Sequence, residues 1–329
     1  MKHLVMLGAC YLDTILSLQS TFSVPHYPEE DAKLRATKLK VRRGGNGGNS
    51  LEVLQQFIPL SSPPDLALHL VATLPDRHAA ATAQVVSSFG PNSPVDLSHC
   101  LYRDDQIDAA STWIISSQAT GTRTIVNHSS LDEMTTDEFV KIVEAFHGED
   151  EANMWWHFEG RQGRIPETTL QCIQHLRLSH PRSRISVEVE KPAREGLREL
   201  AAEADVVFYS KSWAEGEGYA SAEACLTAES VRTPKASLLC CTWGAKGATA
   251  LSLQTLRVFN VTPEPRVTVQ IVDSIGAGDT FIAGILYGLL CRMGDWNEQR
   301  TIRFAVDLAT TKIQQDGFGG LASKLSPAD

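Results

Sequence analysis

Short apolar runs alternate with segments of helical periodicity along most of this chain, and that alternation limits the folds open to it. The predicted buried strands are Leu4–Gly8, Leu66–Ala72, Trp155–Glu159, Ile185–Glu190, Val206–Tyr209 and Ser237–Thr242. The predicted helices between them are Asn49–Phe57, His78–Ser88, Thr136–Phe146, Glu167–Leu178 and Ala220–Glu229. Strands that are apolar on both faces and separated by helices form parallel sheets covered on both sides. The sequence therefore predicts an α/β fold, a doubly wound and mostly parallel sheet with helices on both faces.

Two segments break the alternation, at residues 14–43 and 111–128. The first is extended and mixed in character, and the second is typical of two strands joined by a turn at Thr120-Gly121. One interpretation is a small β subdomain, a lid or clasp, projecting from a single domain of residues 1–329. The other interpretation is a pair of ordinary surface excursions. A lid would cover a site or pair with a second subunit, and the first interpretation therefore predicts a homodimer.

Charge and cysteine content exclude several classes of protein. The chain carries 30 Lys and Arg against 39 Asp and Glu, a formal net charge of −9, without a run of five like charges. An extended nucleic-acid surface is therefore not expected. The seven cysteines include no C-x-x-C pair, which argues against a disulfide framework or a zinc cluster and fits a reducing compartment. No apolar run is long enough for an export signal or a membrane span. We expect a cytoplasmic protein without nucleic-acid or membrane partners.

A glycine-rich segment late in the chain carries the most specific chemistry. In Asp273-Ser274-Ile275-Gly276-Ala277-Gly278-Asp279-Thr280-Phe281, a tight turn leads into an apolar run of helical length. The free N–H groups and positive dipole end of that helix would stabilise a phosphoryl group, and glycine lets phosphate approach the backbone. Asp279 would then accept the proton of an attacking hydroxyl. From the spacing alone, an ordinary helix cap is the alternative.

Two further polar features suit a sugar ligand. Glycines and asparagines alternate in Arg43-Gly44-Gly45-Asn46-Gly47-Gly48-Asn49-Ser50. Asn46 and Asn49 each offer donors and an acceptor, which suits neighbouring sugar hydroxyls better than phosphate; a flexible loop with a helix cap is the alternative. Asp13 follows the first predicted strand, at the edge where open α/β sheets bind ligands. Either a pair of hydroxyls or a salt bridge would satisfy its carboxylate.

These three features, in this order, resemble the ribokinase-like (PfkB) carbohydrate kinases. That family has an Asp after its first strand, a Gly-Gly-x-x-x-Asn loop and a late Asp-[Ser/Thr]-x-Gly-Ala-Gly-Asp-[Ser/Thr]-Phe signature. The similarity extends from about Leu4 to Gly320, and the strand 186–192 (Ser-Val-Glu-Val-Glu-Lys-Pro) is similar to a branch that phosphorylates ketohexoses. The resemblance implies a ribokinase-like fold and an ATP-dependent kinase that uses Mg²⁺ and, in many members, K⁺.

The resemblance also implies roles for the matching residues. The residues matched to catalysis are Asp279, the anion-hole residues Gly276, Ala277 and Gly278, and Arg123, which would contact the transferring phosphoryl group from the lid. The residues matched to the sugar are Asp13, Gly45, Asn46, Asn49 and Asp31, the last reaching the site of a partner subunit. The residues matched to the nucleotide are Trp243, Gly244, Gly247, Ala309, Lys312, Gly317 and Phe318.

Metal binding departs most from the family pattern. Asp273 matches the place where many family members bind potassium beside the anion hole. Magnesium binds mainly through phosphates and water, and Glu188 and Glu190 are expected to act through that water shell. An Asn-x-x-Glu stretch that many members carry near magnesium is replaced here by Lys211-Ser212-Trp213-Ala214.

The predicted function is transfer of the γ-phosphate of ATP to a hydroxyl of a furanose ketose, with fructose giving fructose 1-phosphate. A kinase for another acceptor, such as ribose, a different hexose or a nucleoside, is the first alternative. A sugar or nucleotide sensor without catalytic activity is the second alternative, because a fold does not fix its function.

Overall fold

The structure is a computed structural model that describes residues 1–18, 30–31, 33, 35–36, 38–58, 65–117, 123–160, 165–264 and 269–325. The turn predicted at Thr120-Gly121 lies outside these residues. The side chains at 17–18, 116–117, 123 and 165–166 are also outside the described part.

The strands and helices alternate along the chain much as the sequence predicts. The strands are β1 (Lys2–Leu7), β2 (Tyr11–Leu18), β3 (Lys38–Gly44), β4 (Leu66–Val71), β5 (Thr73–Pro75), β6 (Val95–Asp96), β7 (Leu101–Arg103), β8 (Ser111–Ser117), β9 (Arg123–His128), β10 (Met154–Phe158), β11 (Arg184–Val189), β12 (Val206–Tyr209), β13 (Leu238–Thr242), β14 (Ala248–Ser252) and β15 (Arg257–Val261). The helices are α1 (Asn46–Leu54), α2 (Ala80–Ser87), α3 (Thr136–Ala145), α4 (Leu170–Ser179), α5 (Leu197–Glu203), α6 (Lys211–Gly216), α7 (Ala222–Ser230), α8 (Ala277–Cys291), α9 (Glu298–Ile313) and α10 (Leu321–Lys324).

Nine of these strands form the main sheet, in the order β15-β14-β13-β12-β11-β10-β1-β4-β6. The strands from β13 to β6 are parallel, and only β14 and β15 pair antiparallel. The chain first winds from β1 towards β6 and later from β10 towards β15. This reversal creates a switch point between β1 and β10, where open α/β sheets bind their ligands. The predicted doubly wound, mostly parallel sheet is confirmed.

Two apolar layers cover the faces of the sheet. Leu4 and Met6 of β1 belong to the layer that contains α1, α8 and α9. Val5 and Leu7 belong to the opposite layer, with α3, α4, α5 and α7. Successive residues of a strand point to opposite faces, and a strand buried on both sides is therefore apolar throughout. The uninterrupted apolar runs in the sequence have this physical origin.

A second sheet of four strands, in the order β3-β2-β8-β9, lies beside the main one. Its strands come from the two segments for which the sequence predicts a lid. β2 pairs antiparallel with β3 and parallel with β8, and β8 pairs antiparallel with β9. Its inner face, which includes Asp13, Thr112 and Ile114, lines a cavity at the carboxyl edge of the main sheet.

Helix length and the state of the cysteines are the two features that bear on the cellular compartment. Within the described ranges, no helix is both long enough and apolar enough to cross a membrane. All seven cysteines are free, and Cys291 alone among them is not buried.

Candidate active site

Two cavities meet at the start of helix α8. The larger, of about 650 Å³, is lined by residues that include Tyr11, Asp13, Gly45, Asn46, Asn49, Thr112, Glu159, Glu188, Glu190, Gly276 and Asp279. The smaller, of about 480 Å³, shares Thr242, Ser274, Ala277, Gly278 and Phe281 with it. The glycine turn at residues 274–278 therefore borders both cavities. A ligand in one cavity would contact a ligand in the other cavity beside this turn. We call them the catalytic cavity and the nucleotide cavity.

The glycine turn has the backbone geometry that its sequence predicts. Gly276 precedes α8 with a φ of 78°, and a Cβ there would overlap the ring of Phe318. Asp273 accepts a hydrogen bond from the N–H of Ile275 at 2.9 Å, which closes the turn before the helix. The N–H groups in the first turn of a helix have no acceptor within it, and they carry the positive end of its dipole. This end of α8 can therefore stabilise an anion.

Asp279 lies in that first helical turn and is held by a neighbouring helix. Its carboxylate Oδ2 accepts a hydrogen bond from Asn49 Nδ2 at 2.7 Å, and its carbonyl accepts one from Ser50 Oγ at 3.0 Å. Asn49 Oδ1 in turn accepts from Arg43 Nη1 at 3.0 Å. The family resemblance gives Asn49 a role in sugar binding and Asp279 the role of catalytic base. The structure shows that Asn49 also orients the Asp279 carboxylate. Arg43 supports both, a role that the sequence analysis missed.

Burial and neighbouring charge make Asp279 an unusual acid. Its pKa is raised well above the ordinary value, first because the carboxyl is buried and then because Glu188 lies nearby. The hydrogen bond from Asn49 opposes the shift. A raised pKa makes the ionised carboxylate a stronger proton acceptor, as a general base requires. The electrostatics therefore suit proton abstraction better than helix capping.

Glu188 is fixed by a chain of hydrogen bonds along the sheet edge. Asn46 Nδ2 donates to its Oε2 at 2.7 Å, and His157 Nε2 lies 3.0 Å from its Oε1. The Ser186 hydroxyl accepts from Trp155 Nε1 and lies 2.8 Å from His157 Nδ1. Ser186 therefore donates to Nδ1, and His157 keeps its proton on Nε2, towards Glu188. Both carboxylate oxygens of Glu188 are thus occupied.

The pKa values of the residues in this series of hydrogen bonds follow from burial. Burial lowers the pKa of His157 to about 3, so the ring is neutral. Burial, followed by the charge of Glu190, raises the pKa of Glu188 to about 8, against the opposing bond from Asn46. The role of His157 in positioning Glu188 was not predicted, because a lone histidine in an apolar strand gives no signal of its partner.

The sugar-side residues from the first predicted strand and the glycine-rich loop lie together. Asp13 is buried on β2 opposite Arg42 of β3, and its carboxylate hydrogen-bonds the Thr112 side chain. Burial raises the pKa of Asp13, while Arg42 opposes the rise. Gly45 has a φ of 104°, and a Cβ there would overlap the carbonyl of Ala9. This close approach explains the glycine at the mouth of the cavity.

One predicted site residue does not line the cavity of its own chain, and the side chain of a second is outside the described part of the structure. Asp31 lies on an exposed turn with a φ of 64° and does not line the cavity of its own chain. Arg123 is the first residue of β9, and its side chain lies outside the described part of the chain. The roles given to them by resemblance remain predictions.

Asp273 already has cationic partners within the protein. The buried Lys312 Nζ lies 2.8 Å from the Asp273 carbonyl and 2.9 Å from its Oδ2, and Arg42 Nη1 lies 2.9 Å from the same Oδ2. Burial alone would raise the pKa of Asp273, but Arg42 and Lys312 outweigh it and lower the pKa to about 2. A potassium ion does not fit at this carboxylate, because two protein cations occupy it.

The nucleotide cavity has a different lining from the one that the resemblance implies. Gly244, Gly247 and Ala309 line it as expected, together with the apolar residues Val269, Ile271, Val306 and Ile313, which the sequence analysis missed. The other four residues matched to the nucleotide do not line it. Trp243 is packed in the apolar core, and Phe318 supports Gly276 from behind. Lys312 and the N–H of Gly317 bind Asp273 instead.

The catalytic cavity offers oxygen atoms that suit magnesium. Glu159, Glu188 and Glu190 line it beside Asp279, and carboxylate oxygens are the ligands that Mg²⁺ prefers. Both oxygens of Glu188 already accept hydrogen bonds, and Glu190 pairs with Lys191 Nζ at 2.8 Å. Contacts through water therefore suit these residues better than direct ligation. Magnesium would also offset the mutual repulsion that raises the pKa of Asp279.

Comparison with known proteins assigns this arrangement to a family. A model of the pfkB family of carbohydrate kinases matches residues 1–324. The chain belongs to the PfkB carbohydrate kinase family and is an ATP-dependent sugar kinase. It is 31% identical to the ketohexokinase of Mus musculus over 332 residues, which cover 97% of this chain and 99% of that relative. This similarity agrees with the branch that the strand at 186–192 predicts.

Solved structures show the same fold at lower identity. The ribokinase of Arabidopsis thaliana, complexed with ribose and ATP, has a TM-score of 0.70 at 16% identity, covering 96% of this chain and 94% of that one. Phosphofructokinase-2 of Escherichia coli, in complex with fructose-6-phosphate, has a TM-score of 0.68 at 17% identity. The match covers 95% of this chain and 98% of that one. These likenesses confirm the ribokinase-like fold.

Proposed function

We propose that this kinase transfers the γ-phosphate of ATP to a primary hydroxyl of a furanose ketose, with fructose giving fructose 1-phosphate. The observation that supports this most is the position of Asp279 and the glycine turn where the two cavities meet. One cavity offers carboxylates and amides suited to hydroxyls, and the other offers glycine backbone and apolar side chains suited to a nucleotide. The 31% identity to a ketohexokinase supports the ketose.

In the proposed mechanism, Asp13, Gly45, Asn46 and Asn49 hold the sugar, and Asp279 accepts the proton of its hydroxyl. The hydroxyl oxygen forms a bond to the γ-phosphorus while the bond from that phosphorus to the bridging oxygen of ADP breaks. Phosphoryl transfer has a loose transition state, and positioning and charge stabilisation therefore supply most of the rate. The N–H groups of the glycine turn stabilise the phosphoryl oxygens as charge develops on them.

The nucleotide and metal contacts complete this proposal. Gly244, Gly247 and Ala309 contact ATP in the nucleotide cavity. Magnesium bound with ATP would neutralise phosphate charge, and Glu188 and Glu190 would hold it through its bound water. By resemblance, Arg123 would contact the phosphoryl group, because a guanidinium can contact two oxygens at once.

The outer face of the four-stranded sheet supports the proposed homodimer. Val41, Trp113 and Val126 follow one another across β3, β8 and β9, with Thr14 of β2 between Val41 and Trp113, and the three apolar side chains are exposed. A row of exposed apolar side chains on one sheet is typical of an interaction surface. We propose a cytoplasmic homodimer formed through this face, in which, by resemblance, Asp31 would contact the sugar site of the second subunit. Light scattering tests the expected mass of two chains.

An ADP-release assay across a small panel of acceptors tests the proposed reaction. Fructose, ribose, an aldohexose and a nucleoside are compared at saturating ATP and Mg²⁺, and the phosphorylated position is read by NMR of the product. We expect the highest kcat/KM with fructose and phosphate on its carbon one. A higher value with another acceptor would replace fructose. Binding of sugar and ATP without any sugar-stimulated turnover would identify a sensor.

A further inference from the structure

Three histidines and two carboxylates meet at the edge of the main sheet. His3 of β1, His69 of β4, Asp96 of β6 and His99 share this place with Glu149, and none of them lines the catalytic or nucleotide cavity. The rings of all three histidines contact Phe146, just after α3. The kinase chemistry does not use this group, which we call the edge cluster.

Three atoms of the edge cluster are spaced almost as metal ligands are. His69 and Asp96 are register partners on adjacent strands, with His69 Nδ1 3.2 Å from Asp96 Oδ2. His99 Nε2 lies 3.9 Å from the same oxygen, and His69, Asp96 and His99 each offer one ligand atom within 4.8 Å of the other two. Ligand atoms on a tetrahedral zinc ion are about 3.3 Å apart, given bonds of about 2.0–2.2 Å. Only His99, on the loop after β6, needs to move closer.

When every imidazole is neutral, the edge cluster has fewer N–H groups than close polar contacts. A neutral imidazole carries one N–H. His3 Nδ1 lies 3.2 Å from His69 Nε2, and His3 Nε2 lies 3.1 Å from Glu149 Oε2 without an aligned hydrogen bond among the described residues. If the protons of His3 and His69 point towards Asp96, a buried lone pair of His3 faces Glu149. If the protons of His3 and His69 instead point towards Glu149, the Nδ1 lone pair of His69 faces the Asp96 carboxylate. A cation between His69 Nδ1 and Asp96 Oδ2 would then satisfy both atoms.

The orientation of Asp96 in the edge cluster also suits a metal. Asp96 is oriented by Ser98, whose N–H donates to Oδ1 at 2.8 Å and whose hydroxyl donates to Oδ2 at 3.0 Å. Hydrogen bonds of this kind orient the carboxylate ligands of metal sites. His99 and Asp96 are partly exposed, which leaves a path for an ion.

We propose that His69 Nδ1, Asp96 Oδ2 and His99 Nε2 bind a divalent zinc ion, with water completing the coordination. Two imidazoles and one carboxylate suit zinc, whereas magnesium and calcium prefer oxygen ligands alone. The ion would tie the two-residue edge strand β6 and the loop after it to β4. We infer a role in stability, separate from phosphoryl transfer.

Metal titration of the full chain tests this site. The protein is treated with a chelator, dialysed, and titrated with Zn²⁺ by calorimetry and with Co²⁺ by visible absorption. We expect one ion per chain, a tetrahedral Co²⁺ spectrum, and a thermal unfolding temperature that rises with Zn²⁺ concentration, because an ion that binds only the folded state stabilises it. His99→Gln and Asp96→Asn should each weaken Zn²⁺ binding by at least about tenfold.

His78→Gln is the matched control, because His78 is an exposed histidine that is not among the residues of the edge cluster. It should leave Zn²⁺ affinity unchanged, and His99→Gln should leave sugar-dependent ATP turnover unchanged. Equal losses of affinity in His78→Gln and His99→Gln would reveal binding to surface histidines and overturn the proposal. So would the absence of stoichiometric binding to the wild-type chain. Full metal affinity in both His99→Gln and Asp96→Asn would overturn it too.

Discussion

The catalytic cavity and the nucleotide cavity meet at one turn but are built by different means. In the catalytic cavity, hydrogen bonds between distant elements hold the central carboxylates, as Asn49 holds Asp279 and Asn46 holds Glu188. In the nucleotide cavity the wall consists of glycine backbone and apolar side chains such as Val269 and Ile313. Proton and phosphoryl transfer need a few atoms at defined distances, whereas a flat base needs shape and apolar surface. Changes in the first cavity should therefore alter turnover, and changes in the second should alter ATP affinity.

The largest expected effect is on turnover, from Asp279→Asn. The amide has the shape of the carboxylate but cannot accept the hydroxyl proton, and kcat should fall by roughly 10³-fold. Steady-state ADP release with fructose measures this loss. Asp307→Asn on α9 is the matched control, because Asp307 is a half-buried carboxyl with a raised pKa that lines neither cavity. A kcat of Asp279→Asn within tenfold of wild type would show that Asp279 is not the base.

The thermal stability of Asp279→Asn distinguishes a catalytic role of the carboxylate from a structural one. The pKa of Asp279 is higher in the folded than in the unfolded chain, so its contribution to stability is full at low pH and is lost as pH rises through the folded value. Asp279→Asn removes that loss, and at pH 8 it should unfold at the same temperature as wild type or higher. A markedly lower unfolding temperature would instead indicate a structural role for the carboxylate.

Lys312→Met removes the ammonium behind the turn that both cavities share. The change leaves Asp273 with Arg42 as its remaining cationic partner, and loss of one partner of a buried pair costs about 3 kcal/mol of unfolding free energy. Urea denaturation measures it. Lys40→Met, which breaks the exposed pair with Asp316, should cost no more than about 0.5 kcal/mol. Equal costs for the two variants would contradict the support assigned to Lys312.

Ala309→Leu narrows the nucleotide cavity without touching the catalytic one. The larger side chain takes space needed by the nucleotide, and the KM for ATP should rise about tenfold while kcat and the KM for sugar stay within about twofold. Ala83→Leu, at an exposed position of α2, is the control and should change neither constant. If the sugar KM rose as much as the ATP KM, the two cavities would not be independent.

Glu188→Gln should give the smallest effect, a shift in the pH dependence. Glu188 raises the pKa of Asp279, so replacing it with a neutral amide lowers that pKa. The acid limb of kcat/KM, where the base becomes protonated, should therefore move to lower pH by about 0.5–1 unit when free Mg²⁺ is kept low, because Mg²⁺ offsets the repulsion between the two carboxylates. Glu215→Gln, at an exposed position of α6, should leave the profile in place. If the acid limb of Glu188→Gln stayed at the pH of wild type, Glu188 would not influence the pKa of Asp279.

The amino-acid sequence by itself determined the alternation of the core strands and helices, the mostly parallel main sheet and the placement of the glycine turn before α8. Each of these depends on local pattern: strands buried on both faces must be apolar throughout, and a turn with positive φ needs glycine. The edge position of open α/β sheets predicted a ligand site near Asp13, and the family resemblance placed Asn46 and Asn49 in the same site as Asp279.

Only the tertiary structure decided which polar groups meet and which merely lie near the site. It turned Lys312 and Phe318 away from the nucleotide to support the turn, and it joined His157 to Glu188. It also assembled His3, His69 and His99 from separate segments at the edge of the sheet. Such partners lie tens to hundreds of residues apart, and the geometry of packing, not any local pattern, sets the distances between their side chains.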